Sequence, residues 1–171
     1  TRRLVLVTGT SPADHELRAE LSKAASTFEG RVQVEYLNGL PTAQLLEKLR
    51  ALPADALVVS PGYFKDGADT DYHPRDISLL MNKALRVPFY GPFTTFLGTG
   101  IVGGYMISWT DYAIQVGSID QKLLDGTTPN SKLAMPNLTP VMHVDWNAAQ
   151  RWDIAEKDFP PGTIVHFRES S

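Results

Sequence analysis

Short apolar runs alternate with helical patterns through the first 126 residues, and this alternation constrains the fold more than any other feature of the sequence. Leu4–Val7 and Ala56–Val59 are fully apolar, which is typical of strands buried on both faces. Three further strands are predicted at Val32–Leu37, Val87–Tyr90 and Ile101–Ser108. The helical patterns follow these runs through short turns, which indicates a sheet of parallel strands.

The helices have recognisable starts and stops. Ser11-Pro12-Ala13-Asp14 is a capping box with Ser11 as the N-cap and Asp14 reaching back, and Gly30 is predicted to stop the helix that follows. Three more amphipathic helices are predicted at Thr42–Leu52, Asp76–Leu85 and Thr110–Asp125, the last stopped by Gly126. The pattern predicts an α/β fold of the flavodoxin type, with a parallel sheet of about five strands covered by helices on both faces.

The alternation ends at Gly126. Thr127–Pro140 contains three prolines and two asparagines and is predicted to be an extended crossover. The sequence therefore divides into an α/β lobe over residues 1–126 and a crossover with a C-terminal tail over residues 127–171. Because the sequence starts at Thr1 and shows no signal peptide, we expect it to be part of a longer protein.

The composition excludes several classes of function. A net charge of −3, from 16 Lys and Arg against 19 Asp and Glu, argues against nucleic acid as a partner. The absence of cysteine excludes disulfides, thiolate catalysis and cysteine-ligated metals. The four histidines have no metal-ligand spacing, so neither a metal nor a cofactor is expected.

Ligands of open α/β sheets bind beyond the carboxyl ends of the strands, so the loops at those ends contain the candidate site residues. Thr10 and Ser11 follow the first strand and place hydroxyls and backbone N–H groups at a helix N-terminus, which suits a carboxylate or a phosphate. The alternative for Ser11 is that it only caps its helix, and this interpretation is favoured.

Aromatic residues follow the third and fourth strands. Tyr63 and Phe64 are adjacent aromatics that could stack on a ligand, whereas the nearby acids are more typical of a solvated turn. Tyr90, Phe93 and Thr95 add aromatic and hydroxyl groups suited to a small polar or zwitterionic solute, although they fit a core beneath a hinge equally well.

No catalytic arrangement is visible in the sequence. No Ser lies in a Gly-x-Ser-x-Gly elbow, and Gly98–Gly104 lacks the Lys and Ser/Thr of a phosphate-binding loop. We therefore expect a binding domain and not an enzyme.

The C-terminal part contains Asp145-Trp146, Arg151-Trp152, Pro160-Pro161-Gly162 and Val165-His166-Phe167-Arg168 in this order. This run resembles the closing segment of ABC-transporter-type substrate-binding domains, which also serve as extracytoplasmic sensor domains of bacterial histidine kinases. Leu97–Tyr105 is similar to the family's Gly-rich strand segment. It is followed, as in the family, by the pair Ser108-Trp109 and by a helix that ends in Leu123-Leu124-Asp125-Gly126.

The opening Leu4–Ser11 resembles the first strand of the family's second lobe, so the resemblance covers nearly the whole chain. Two positions depart from the family pattern: Ala113 and Asp153 stand where glycine is usual. The family's two-lobed domain is longer by about one lobe. The resemblance therefore implies a lobe of the periplasmic-binding-protein type I fold, mostly the second one, with the N-terminal lobe as its missing partner.

The same resemblance implies an extracytoplasmic, periplasmic solute-recognition domain, either the sensory input of a histidine kinase or part of a transporter's binding protein. The expected ligand is a small molecule such as an amino acid, an amine or an aromatic acid. Membrane attachment is expected only through flanking segments of the full-length protein. Two alternatives stay open: an enzyme of flavodoxin-like architecture acting on a carboxylated or phosphorylated metabolite, and a protein-interaction module, for example a homodimer.

Overall fold

A computed structural model of the chain describes residues 2–28, 30–125 and 139–168. Within these residues one sheet contains seven strands: β1 (Arg3–Thr8), β2 (Gln33–Asn38), β3 (Ala56–Val59), β4 (Phe89–Tyr90), β5 (Gly103–Met106), β6 (Val141–Asp145) and β7 (Ile164–His166). Their order is β2-β1-β3-β4-β5-β6-β7, and every neighbouring pair is parallel except β5 and β6. The predicted α/β class with a mostly parallel sheet is confirmed.

The described helices are α1 (Pro12–Ala25), α2 (Thr42–Arg50), α3 (Pro74–Ala84), α4 (Trp109–Leu124) and α5 (Trp146–Arg151). The predicted capping box is present at α1. The Ser11 hydroxyl accepts a hydrogen bond from the Asp14 N–H at 3.1 Å, and the Asp14 carboxylate accepts one from the Ser11 N–H at 3.0 Å. No helix in the described ranges is both long and apolar enough to cross a membrane.

The main core lies between the sheet and the helices α2 and α3. Val5 and Val7 alternate along β1 and point to this face, where they join Leu45 and Leu49 of α2 and Ile77 of α3 in one buried cluster. This arrangement follows from the period-two alternation of a strand and the i, i+4 spacing of apolar residues on a helix. The opposite face of β1 packs partly against α1.

The sheet has seven strands and not the predicted five, because the C-terminal tail adds β6 and β7 to its edge. Together with α5 these strands form a parallel β-α-β unit that runs antiparallel to the lobe. The tail pattern predicts a short final strand after the Pro-Pro-Gly turn, which corresponds to β7, but it misses β6, whose first position is exposed. The predicted stop at Gly126 and most of the crossover Thr127–Pro140 lie outside the described residues.

Asp145 attaches this unit to the lobe, while Trp146 and Arg168 contact each other within the unit. The Asp145 carboxylate caps α5 by accepting from the Ala148 N–H at 3.1 Å, and it also accepts from the Gly98 N–H at 3.0 Å. The guanidinium of Arg168 lies 4.2 Å from the centroid of the Trp146 ring. The residues that carry the family resemblance therefore have structural roles in this chain.

Asp153 occupies a backbone position that ordinarily favours glycine. Its φ of +53° is left-handed, and two hydrogen bonds close a Schellman motif at the end of α5. These run from the Asp153 N–H to the Gln150 carbonyl at 3.2 Å and from the Ile154 N–H to the Ala149 carbonyl at 3.0 Å. The geometry explains why a glycine suits this position and why an aspartate, which tolerates left-handed φ, can replace it.

Candidate functional site

A cleft of about 850 Å³ opens where the loops after β1, β3, β4 and β5 meet. All four loops follow carboxyl ends of parallel strands, and β1 and β3 flank the point at which the strand order reverses. The cleft walls are formed by α1, by the loop after β3 with the start of α3, and by the loop after β4 with the start of α4. This is the position at which open α/β sheets usually bind ligands.

Aromatic rings form one wall of the cleft. Phe93 and Trp109 are stacked with centroids 5.7 Å apart, and Phe96 meets Phe93 edge to face at 5.9 Å. Tyr112 supports Trp109 from behind at 5.8 Å. Trp109 remains 47% exposed and Phe64, which also lines the cleft, 37% exposed. Rings held by neighbouring rings yet open to solvent are well suited to contact an apolar or aromatic ligand.

Charged side chains line two other sides of the cleft. Glu16 and Glu20 lie one turn apart on α1, are exposed, and have no ion pair with any described residue. His73 and Arg75 lie at the start of α3. One guanidinium nitrogen of Arg75 donates to the carbonyl of Thr95 at 2.6 Å and to that of Leu97 at 3.0 Å, which ties α3 to the loop after β4.

The buried carboxylate of Asp14 holds the loops after β1 and β3 together. Besides the Ser11 N–H, it accepts hydrogen bonds from the backbone N–H groups of Phe64 and Lys65 at 3.2 and 3.3 Å. Gly9 allows this close approach, since a Cβ at that position would lie 2.2 Å from the Lys65 carbonyl oxygen and 2.5 Å from the Asp14 carboxylate. The position of Phe64 in the cleft therefore depends on Asp14 and Gly9.

Asp66 organises the far side of the same loop. Its buried carboxylate accepts from the N–H and hydroxyl of Thr42 at 2.9 and 2.7 Å and from the N–H groups of Ala68 and Thr70, both at 2.9 Å. Burial would raise the pKa of Asp66, but these hydrogen bonds outweigh it and lower the pKa to about 2. Tyr72 extends the network, with its hydroxyl 2.8 Å from the Thr42 hydroxyl.

Three of the seven predicted site residues line the cleft: Phe64, Phe93 and Thr95. Thr10 and Ser11 lie beside it and are used by the fold. The Thr10 hydroxyl donates to the Asp66 carbonyl at 2.9 Å, and Ser11 caps α1 as the alternative interpretation expected.

Tyr63 and Tyr90 do not line the cleft. Tyr63 is 1% exposed, and its hydroxyl donates to the Leu40 carbonyl at 3.1 Å. Burial, together with the charges of Asp66 and Asp14, raises the pKa of Tyr63, and burial raises the pKa of Tyr90. Tyr63 is therefore a core residue that supports the loop on which Phe64 is presented.

Sequence reasoning missed Glu16, Glu20 and Arg75 and did not select Trp109 as a site residue. The i, i+4 spacing of the two glutamates on α1 was the available signal. The sequence alone could not show that this face of α1 turns towards the aromatic loops. Within the described ranges, no group of three or more His, Asp or Glu side chains is arranged to hold a metal ion.

The sequence matches no protein-family model and no curated protein. Three solved structures share its fold at low identity. An ABC domain in complex with L-Trp from Streptococcus pneumoniae gives a TM-score of 0.62 at 15% identity. A conserved domain protein from Vibrio cholerae gives 0.59 at 14%, and the ligand-free, open structure of a substrate-binding protein with adhesive properties from Clostridium difficile gives 0.68 at 12%.

The chain has the fold of substrate-binding proteins. The three matches cover 91%, 96% and 96% of this chain but only 52%, 54% and 54% of the other chains. This chain therefore spans about half the length of the proteins whose fold it shares.

Proposed function

We propose that this chain is one lobe of a solute-binding domain and that the cleft beside Trp109 is its share of the ligand site. The observation that carries the proposal is the aromatic wall at the carboxyl ends of the strands, where the exposed ring of Trp109 is stacked on the half-buried ring of Phe93. The fold of substrate-binding proteins supports the same conclusion. A lobe of this kind binds its ligand without transforming it.

The lining suggests a ligand with an aromatic or apolar body and at least one charged group. Phe64, Phe93 and Trp109 would contact the body, and the unpaired carboxylates of Glu16 and Glu20 would attract an ammonium group. Amino acids and aromatic amines meet both requirements. The L-Trp complex of the Streptococcus pneumoniae structure makes L-tryptophan the first compound to test.

Since the chain covers about half of its structural neighbours, we propose that a second lobe completes the site. Ligand bound between the two lobes would favour a closed arrangement, and this hinge motion would transmit the binding event. The tail motifs favour a sensor domain of a histidine kinase over a transporter component. Either role places the domain outside the cytoplasm, with membrane attachment through segments that flank this sequence.

A thermal-shift measurement tests the binding proposal. The chain is melted with L-tryptophan, other amino acids, aromatic amines, aromatic acids and sugars. A ligand present at 100 times its dissociation constant adds about 2.7 kcal/mol to the free energy of unfolding, which raises the melting temperature by about 5–10 °C for a chain of this size. Because this chain would supply only one side of the site, binding to it is expected to be weak, and at least one ammonium-bearing aromatic compound should produce a smaller shift in the same direction.

Trp109→Ala is the decisive variant, and Tyr105→Ala is its matched control because Tyr105 is an exposed aromatic (63%) that does not line the cleft. The Trp109 variant should weaken binding about 10-fold or more, equivalent to about 1.4 kcal/mol, while the Tyr105 variant should bind as the wild type does. If both variants lose affinity equally, or if neither variant changes the thermal shift, the ligand binds outside this cleft. The absence of any shift, combined with self-association, would favour the protein-interaction module instead.

A further inference from the structure

A second, smaller cavity lies at the edge of the sheet opposite the cleft, and we propose that it binds a phosphate group. Its volume is about 400 Å³, and it is formed where α2, α3 and α5 end. Four cationic side chains line it: Arg50, Lys83, Arg86 and Arg151. Trp152 completes the wall.

All charged side chains that line this cavity are positive. No acidic residue among those described lines it, and none of the four cations forms an ion pair with a described residue. Arg50, Lys83 and Arg151 each lie in the last turn of a helix, where a cation stabilises the negative end of the helix dipole. That effect explains each residue separately. It does not explain why three helix ends and Arg86 share one cavity.

Trp152 carries a buried donor beside this cavity. Its indole nitrogen is buried and has no hydrogen-bond partner within the described part of the chain. Buried donors in folded proteins are normally satisfied, because leaving one unpaired has a substantial cost. An indole N–H can only donate, so Trp152 serves here as a reporter beside the cationic side chains.

The cavity therefore combines guanidinium and ammonium donors without a matching acceptor. A guanidinium presents five N–H donors and an ammonium three. The guanidinium of Arg151 lies 4.9 Å from the centroid of the Trp152 ring, which places this cation next to the unpaired indole. A phosphate group has several acceptor oxygens and about two negative charges, and it matches the planar fork of an arginine. This site is separate from the cleft and does not depend on the solute-binding proposal.

The test observes the indole N–H groups of the full chain by ¹⁵N NMR. The sequence contains three tryptophans, so three indole signals are expected, and Trp152→Phe assigns the relevant one. If that variant does not fold, Trp109→Phe and Trp146→Phe assign it by exclusion. Inorganic phosphate, titrated against sodium chloride of equal ionic strength, should move the Trp152 signal saturably with a dissociation constant of about 1 mM or tighter. The Trp109 and Trp146 signals should stay in place.

Charge variants separate a built site from general attraction. The double variant Lys83→Gln, Arg86→Gln should weaken phosphate binding about 10-fold or more, while Arg18→Gln on the exposed side of α1 should leave it unchanged. A parallel arm replaces free phosphate with phosphatidylcholine vesicles that contain phosphatidylglycerol. A response to free phosphate assigns the site to a soluble phosphate compound, and a response only to these vesicles assigns it to a lipid headgroup. An unmoved Trp152 signal in both arms, or equal weakening by Arg18→Gln, would overturn the proposal.

Discussion

Asp66→Asn removes the charge around which the loop between β3 and α3 is folded. One carboxylate oxygen of Asp66 accepts both hydrogen bonds from Thr42, and the other accepts the N–H groups of Ala68 and Thr70. An asparagine has one acceptor oxygen and one NH₂ group. One of the two pairs of donors would therefore lose its acceptor.

The pKa of Asp66 indicates how much stability the Asp66→Asn variant should lose. The pKa falls from 3.8 to about 2 although burial alone would raise it, which means that the folded loop favours the charged form by about 2 kcal/mol. A buried donor left without an acceptor costs about 1–3 kcal/mol. Since the two contributions overlap, we expect Asp66→Asn to lower the free energy of unfolding by about 2–4 kcal/mol at pH 7.

Urea denaturation at pH 7 measures this loss, and Asp69→Asn is the matched control. Asp69 lies in the same loop, but its side chain is 87% exposed and its ion pair with Lys65 is at the surface. We expect the control to change the free energy of unfolding by less than about 0.5 kcal/mol.

The same pair of variants predicts a pH dependence. Because the folded pKa of Asp66 is depressed, its stabilisation is present above pH 3.8 and is lost as the pH falls towards about 2. Wild type and Asp66→Asn should therefore converge in stability at low pH. If Asp66→Asn is no more harmful than Asp69→Asn at pH 7, the argument that this carboxylate organises the loop is refuted.

Three shorter predictions concern other parts of the chain. Asp153→Gly should raise the free energy of unfolding by about 0.5–1 kcal/mol in urea, since the left-handed φ of +53° suits glycine, and no gain would contradict the Schellman cap. Gly9→Ala should destabilise the chain by about 2 kcal/mol or more, because the new Cβ meets a backbone carbonyl, and a variant as stable as wild type would disprove the close approach. The Nδ1 atom of His143 lies 2.8 Å from Nε2 of His166, and burial together with this neighbour lowers the pKa of His143. The urea midpoint of unfolding should therefore fall as the pH decreases from 6.5. A His143→Gln variant with the same dependence on pH would contradict this explanation.

Much of the fold could be predicted from the sequence because the apolar residues of the α/β lobe recur with the regular spacing of strands and helices. The apolar runs at β1 and β3 and the capping box at α1 act locally, and each was placed within a few residues. β6 was missed, and β7 was predicted as a short strand but not counted in the sheet, because both are stabilised by pairing with a distant strand and carry little pattern of their own. Strand pairing of this kind is a tertiary effect.

The candidate site was predicted only in part. Phe64, Phe93 and Thr95 could be chosen because strand ends in an α/β sheet converge. Thr10 and Ser11 were chosen because their hydroxyls could bind a ligand. In the structure the Thr10 hydroxyl bonds to a neighbouring loop and the Ser11 hydroxyl caps α1, and the sequence alone does not distinguish these roles from ligand binding. Tyr63 was chosen beside Phe64, but adjacent residues of an extended loop point to opposite sides, and the structure buries Tyr63.

The most direct test of the solute-binding account is a ¹⁵N NMR titration of the full chain with L-tryptophan and with the aromatic amines of the thermal-shift panel. The indole signal of Trp109, assigned with Trp109→Phe, reports on the cleft, since Trp109 lines it and stays exposed. The account predicts a saturable shift of this signal with at least one ammonium-bearing aromatic compound, reduced in Glu16→Gln, Glu20→Gln. A Trp109 signal that stays unmoved by every compound would contradict the claim that this cleft binds a solute.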